Sequence, residues 1–266
     1  MLVDPKSLDH AALARKLVDA VLEAGRIEMH HYTSGVAVET KADRSPVTLA
    51  DKEAEAVLVA ALEASAPGIP IVAEEAAALG RIPAVGDALF LVDPLDGTRE
   101  FINQRGEFTV NIALVTKGQP VFGIVYAPAI GELYVTLSAT RSATVSIQPS
   151  ASGLDPGLLR TITTRTPDLK RLTAVASRSH MTPEGEAWLA RLPIAARRDA
   201  GSSLKFCLIA CGDADLYPRL SPTMQWDTAA GDAILRAAGG MVTTLDGVPL
   251  RYGQPNDRYR NPHFVA

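Results

Sequence analysis

Three acidic groups in this chain have residue types and spacings that could do chemistry together. Asp93 and Asp96 flank Pro94-Leu95 in LFLVDPLDGT, Glu74 and Glu75 end the apolar run IPIVA, and Asp227 follows Trp226 in WDTAAGDA. Pro94 and Gly97 constrain the turn so that Asp93 and Asp96 can both face one pocket. Carboxylates brought that close cannot all stay ionised unless a cation compensates them; otherwise their pKa values rise. Ligands that are all oxygen favour Mg²⁺ or Mn²⁺ over zinc. Leu95 has no ligating side chain, but its backbone carbonyl can complete such a shell. Taken singly, each group has a plainer reading: Asp227 as a helix N-cap, DPLDGT as an acidic turn, Glu74 and Glu75 as solvated charges at a strand end. Their combination is what predicts a metal site.

Such a site needs elements to deliver these groups, and the hydrophobic pattern supplies them. Leu13, Leu17, Val21 and Ile27 recur at helical spacing and predict an amphipathic helix from Leu8 to about Tyr32, stopped at Gly35; a second helix is expected from Leu49 to Ala64. IPIVA reads as the strand that delivers Glu74 and Glu75, and ALFLV as the strand that delivers Asp93 and Asp96. FTVNIALVT and PVFGIVYAP, separated by a turn at 117–119, predict an antiparallel pair, with GELYVTLS as a further strand. From about 143 to 167 the chain is rich in Ser, Thr, Pro and Gly, which marks a seam between approximate halves 1–150 and 151–266. Beyond it come TAVASRSH, a helix near Pro183 to Leu192, the helical run SLKFCLIACG, a helix at TAAGDAILRAAGG and a closing strand at MVTT. The fold class expected is a layered α+β / α/β sandwich forming one catalytic unit, with a largely antiparallel sheet first and an α/β half second.

Composition narrows the function. With 47% hydrophobic and 21% charged residues the chain has ordinary globular composition. A formal net charge of −4 leaves no basic footprint, so no polynucleotide partner is expected. The N-terminal stretch carries acidic residues early, and no segment approaches the ~20 apolar residues of a membrane span. A cytoplasmic location is expected, with peripheral attachment at the inner face of the plasma membrane left open. Cys207 and Cys211, four apart in an apolar run, read as reduced core thiols. No G-x-S-x-G elbow and no G-x-x-x-x-G-K-[ST] loop occurs, which argues against a serine hydrolase and a nucleoside triphosphatase.

Glu74-Glu75, Asp93-Pro94-Leu95-Asp96-Gly97-Thr98 and Trp226-Asp227, in that order and with Thr48 and Asp51 in SPVTLAD upstream, resemble the signatures of the inositol monophosphatase-like superfamily. Within it the likeness is nearest to the CysQ-type 3′(2′),5′-bisphosphate nucleotidases, through KADRSPVTLAD, DPLDGTREFINQRGEFTVNIALV, SRSH, GSSLKFCLIACGDADLYPR and WDTAAGDAI. It runs from about residue 10 to Pro262, and Arg99 stands where lysine is expected. The resemblance implies that Glu74, Asp93 and the Leu95 carbonyl bind one Mg²⁺, and that Asp93, Asp96 and Asp227 bind a second, with Asp93 bridging. A third, weakly held ion near Glu74 is within the family's range, and Glu75 is the least defined member. Thr98 and Asp51 are implied to form a hydrogen-bonded pair that orients and deprotonates the attacking water. The two ions activate that water and neutralise the departing oxygen. A helix beginning after Asp96 is expected to turn the Gly97 and Thr98 amides toward the phosphate with the positive end of its dipole.

For the substrate, the resemblance implies a small nucleotide: 3′-phosphoadenosine 5′-phosphate, converted to AMP and phosphate in sulfur assimilation and nucleotide recycling, with the phosphosulfate form as a further substrate. His180, Ser202, Lys205 and Arg219 are the matching contacts, Arg and Lys serving phosphate as bidentate fork and point charge. The plainer reading of Lys205 and Arg219 is a solvated charge or an ion pair with Asp213 or Asp215, and of His180 a capping residue. Inositol monophosphates and fructose 1,6-bisphosphate are the rival substrates, and a metal-binding regulatory module without turnover is the rival from another class. Monomer and homodimer both stay open.

Overall fold

The computed structural model describes residues 9–35, 38–40, 46–177, 181–254 and 256–266. Helix α1 (His10–Ser34) starts where the Asp9 carboxylate accepts hydrogen bonds from the Ala11 and Ala12 amides, and it ends at Gly35. After the antiparallel pair β1 (Val38–Thr40) and β2 (Pro46–Thr48) comes α2 (Leu49–Ser65). The Asp51 carboxylate ties down the start of α2 by accepting the Thr48 amide at 2.7 Å and the Thr48 hydroxyl at 2.6 Å.

Strand β3 (Ile71–Ala73) runs straight into the short helix α3 (Glu74–Ala78), and β4 (Ala88–Asp96) into α4 (Thr98–Ile102). Strands β5 (Thr109–Thr116), β6 (Gln119–Ala127), β7 (Glu132–Ser138), β8 (Arg141–Ser146) and β9 (Arg160–Ile162) then add in chain order, making one seven-stranded sheet that is antiparallel except for the β3–β4 pair. The pleat divides the apolar residues between two faces. Phe90, Val92, Val110, Ile112, Phe122 and Ile124 pack with the buried stripe of α1 and α2. Leu89, Leu91, Ala113, Val115 and Val125 face the second half. The Ser/Thr/Pro/Gly-rich stretch supplies β8 and β9 to this sheet, so the change of character falls after Ile162, inside the stretch where the seam is expected.

The second half opens with β10 (Leu172–Ala176), α5 (Pro183–Leu189) and β11 (Ile194–Asp199), the two strands pairing in parallel. Strand β11 has no sequence signal, because IAARRD is largely exposed and lacks apolar alternation. Then follow α6 (Leu204–Ala210), β12 (Pro218–Arg219), α7 (Ala229–Ala237), β13 (Thr243–Thr244) and β14 (Phe264–Val265), with β14 between β12 and β13 in a small sheet. Helix α7 seats flush against β6: a Cβ added at Gly123 would lie 2.3 Å from the Ala230 carbonyl oxygen. The layers therefore alternate: α1 and α2, the large sheet, α6 and α7, then β10 and β11 with α5 outside. Cys207 and Cys211 are free, and burial raises both thiols, Cys211 to about 11, so they stay protonated and pack as apolar groups. Among the described residues no helix is long and apolar enough to cross a membrane.

One residue breaks the apolar stripe of α1. Glu28 is fully buried, and neither of its carboxylate oxygens has a hydrogen-bond partner among the described residues. Burial, and then the Asp51 carboxylate, push its pKa well above the ordinary glutamate value. Folding then takes up a proton at any pH between the ordinary and the raised value. The stability is full below the unfolded pKa and falls as pH rises through that window. Glu28→Gln keeps the shape and removes the titration. Its melting temperature is expected to exceed that of the parent protein by a margin that widens from about pH 5 to about pH 8, roughly 2–4 °C per kcal/mol released. Thermal melts across that range check this, and a margin independent of pH would show that Glu28 is not the group that titrates.

Candidate active site

The register between β4 and β5 explains how two aspartates three residues apart come to act together. Asp93 lies opposite Asn111 and Asp96 opposite Thr109. Thr109 and Asn111 are two apart and share a face, whereas residues three apart on a regular strand point to opposite faces. A register shift between Asp93 and Asp96, one extra residue on β4, returns Asp96 to the Asp93 side. Leu95 turns its side chain into a small cluster with Ala50, Phe101 and Phe108. Its amide donates to Asp93 Oδ1 at 3.0 Å, and its carbonyl accepts from Thr98 Oγ1 at 3.3 Å. Gly97 completes the turn at φ 91°, a conformation side chains rarely adopt, and a Cβ there would press to 3.1 Å on the Glu107 carbonyl oxygen.

Glu74 is the first residue of α3, directly after β3. The turn is clamped by Glu55 of α2, whose carboxylate accepts the Glu75 amide at 2.7 Å and the Ala76 amide at 2.9 Å. In sequence Glu55 looks like one more charge on a helix, so its part was missed. Asp227 is not the N-cap of α7. That place belongs to Thr228, because the chain makes one further turn in which the Asp227 carboxylate accepts the Met224 amide at 2.9 Å.

These elements place one carboxylate oxygen each of Glu74, Asp93 and Asp227 within 4.8 Å of one another. Burial, then repulsion from Glu74, Asp96 and Asp227, holds the Asp93 carboxyl well above its ordinary range. Asp227 is raised in the same way, by burial and then by Asp96 and Glu74. An all-oxygen donor set whose charges are uncompensated fits a hard divalent cation. Asp96 stands beside the three and accepts from Ser202 Oγ at 2.5 Å; burial raises its pKa against the opposing pull of Lys205 and of that hydrogen bond.

The cluster opens into a pocket of about 280 Å³ lined also by Gly97, Thr98, Ser177, Lys205, Tyr217 and Arg219. Lys205 is 3% exposed; its ammonium donates to the Ser202 carbonyl at 2.5 Å and sits 5.2 Å from the centre of the Tyr217 ring. Burial lowers its pKa to about 8, against the pull of Asp96. Arg219 donates from Nη2 to the Pro222 carbonyl at 3.0 Å, and its buried Nε has no partner among the described residues. The ion-pair reading of these cations does not hold, because Asp215 is taken by Arg165 at 2.7 Å and Asp213 lies 3.7 Å from Arg198.

Thr98 lines the pocket, while Asp51 is not among the lining residues; it is 2% exposed and bonded to Thr48. The dipole expected after Asp96 is a correction: α4 is five residues long, too short to sum many aligned peptide dipoles, so it offers individual amides only. His180 lies outside the described residues, as do 41–45 of the upstream motif. Thr109 and Asn111, opposite Asp96 and Asp93, and Ser203, bonded to both, were not singled out by sequence reasoning, because they look like ordinary strand and helix-start residues.

Residues 9–263 match the profile of the inositol monophosphatase family. The 3′(2′),5′-bisphosphate nucleotidase CysQ of Escherichia coli K12 is 40% identical over 252 residues, covering 95% of each chain. The CysQ of Haemophilus influenzae is 32% identical over 91% of this chain and 88% of its own. Among solved structures, CysQ from Bacteroides thetaiotaomicron superposes with a TM-score of 0.79 at 38% identity over 96% of both chains. Inositol monophosphatase from Anabaena gives 0.69 at 26% identity over 94% of this chain and 88% of its own.

Proposed function

This chain belongs to the inositol monophosphatase family, and on that footing we propose that it is a Mg²⁺-dependent phosphomonoesterase that removes the 3′-phosphate of 3′-phosphoadenosine 5′-phosphate, leaving AMP. The observation that carries the reading is the Glu74–Asp93–Asp227 cluster, with Asp93 buried at its centre, opening into a pocket that also holds two buried cations, Lys205 and Arg219. One cluster suits the ions of a phosphatase, and the cations suit a substrate with a second phosphate. The relatives named as CysQ nucleotidases support the same substrate.

Glu74, Asp93 and the Leu95 carbonyl would hold one Mg²⁺, and Asp93, Asp96 and Asp227 a second. Bound there, the ions supply charge neutralisation at the phosphoryl oxygens and acidify the attacking water. The chain's own groups do the rest. Thr98 Oγ1, at the pocket wall, orients the water, and Asp51 receives the proton through it. The Gly97 and Thr98 amides point donors at the phosphoryl oxygens. Lys205 and Arg219 hold the phosphate that is not cleaved, and His180 retains its assignment to the nucleotide from the sequence alone. Ser202, which also lines the pocket, spends its donor on Asp96, so its contact with the nucleotide would be as an acceptor.

Phosphate release measured side by side with Mg²⁺ tests this. The expected kcat/KM for 3′-phosphoadenosine 5′-phosphate exceeds that for inositol 1-phosphate by about 10² or more, because a site built to pair a charge penalises a ligand that lacks it, and it exceeds that for fructose 1,6-bisphosphate, which has a second phosphate but no nucleoside to set its position. The reverse preference would overturn the substrate and leave the phosphatase class intact. No release from any of the three would overturn both.

A further inference from the structure

We propose that a buried chain of donors, Asn111 to Ser203 to Thr109 to Ser202, ends on the Asp96 carboxylate and holds it in place for the divalent cation. The inference rests on Asp96 being a cation ligand. Its members come from two distant parts of the sequence. Thr109 and Asn111 are the cross-strand partners of Asp96 and Asp93, and Ser202 and Ser203 immediately precede α6. Thr109 and Asn111 are fully buried and Ser203 is nearly so.

The contacts link into one line. Ser202 Oγ donates to Asp96 Oδ2 at 2.5 Å. Thr109 Oγ1 is hydrogen-bonded to Ser202 Oγ and lies 2.9 Å from Ser203 Oγ. Ser203 Oγ is 2.6 Å from Asn111 Oδ1, while Asn111 Nδ2 is buried with no partner among the described residues. The two ends of an amide are nearly the same size, and turning this one over brings Nδ2 against Ser203 Oγ. The orphan donor then disappears, leaving an under-used carbonyl, the cheaper of the two vacancies. Ser203 becomes free to donate to Thr109, Thr109 to Ser202, and Ser202 to Asp96. Each hydroxyl accepts once and donates once, and every dipole points at the carboxylate, so each bond strengthens the next.

The backbone at Ser202 is shaped for this part. Ser202 lies at φ 52°, in the left-handed region where a side chain is disfavoured, and the Lys205 ammonium fixes its carbonyl at 2.5 Å. Glycine would adopt that conformation without strain. Retaining a hydroxyl there delivers a donor to Asp96.

Thr109 is the link to cut, since it is fully buried and is not among the residues that line the pocket. Thr109→Val preserves shape and removes the hydroxyl, while Thr109→Ser restores it. Mg²⁺ binding to the substrate-free protein is read by isothermal titration calorimetry, with melting temperatures in a chelator reporting the fold. Thr109→Val is expected to bind Mg²⁺ about 10-fold more weakly, and Thr109→Ser to recover most of that loss. Ser203→Ala, one link further out, weakens binding in the same direction and keeps the test alive if the valine variant does not fold. A parent protein that binds Mg²⁺ with valine and serine variants binding equally well overturns the chain while sparing the ligand assignment. A parent protein that takes up no Mg²⁺ overturns the ligand assignment, and the chain with it.

Discussion

Replacing Asp93 by asparagine is expected to lower Mg²⁺-dependent kcat/KM by at least about 10³-fold, because a bound cation contributes several kcal/mol of charge stabilisation and each 1.36 kcal/mol is tenfold. Asp93 is the carboxylate whose oxygen lies among those of Glu74 and Asp227, with Asp96 adjoining, and it is 1% exposed. Asparagine keeps the shape and the Leu95 amide contact to Oδ1 while deleting the charge. The same substitution has a second, opposite effect. Without cation, the parent protein must bury mutually repelling carboxylates, so the variant is expected to melt higher than the parent in a chelator and to gain less when Mg²⁺ is added. Loss of activity together with gain of apo stability separates a ligand from a residue that merely maintains the fold. A near-normal rate, or an undiminished Mg²⁺ effect on melting, would remove Asp93 from the ligand set.

The second large effect concerns the proton. Thr98→Val and Asp51→Asn are each expected to lower kcat by roughly 10²–10⁴, the usual worth of a positioned general base, with Mg²⁺ binding little changed. Thr98 reaches the pocket and Asp51 does not, so Asp51 can act only through an intermediary, and the two should fail as one unit. The double variant is then expected to be no slower than the poorer single variant. Steady-state rates on all four proteins close the cycle. Losses that simply add would mean that Thr98 and Asp51 act independently, and the water-activation scheme would have to be redrawn.

Much of this molecule was legible from residue order. The periodicity of Leu13, Leu17 and Val21 gave α1, the apolar runs around 109–127 gave the β5–β6 pair, and the Pro and Gly beside Asp93 and Asp96 marked a sharp acidic turn. What stayed hidden depends on pairing across space. Thr109 and Asn111 sit in FTVNIALV like ordinary strand residues, and only the β4 register shift sets them against the aspartates. Ser202 matched a substrate contact by motif, yet its hydroxyl turns to Asp96. Glu55 reads as a solvated helix charge until α3 docks against it. Glu28 did leave a trace, a carboxylate four residues beyond Ala24 and seven beyond Val21 on the apolar stripe of α1.

Gly123 lies outside the pocket, yet it governs how far α7 stands from the sheet, and Asp227 is carried just ahead of that helix. A single added methyl group would wedge the helix outward and draw one carboxylate away from its companions, with no change to any group that meets the substrate. Tolerance to mutation therefore cannot be mapped by distance from the reaction. The position with the least chemistry in the chain acts as a fulcrum, and a survey confined to pocket-lining residues would overlook the lever that sets their spacing.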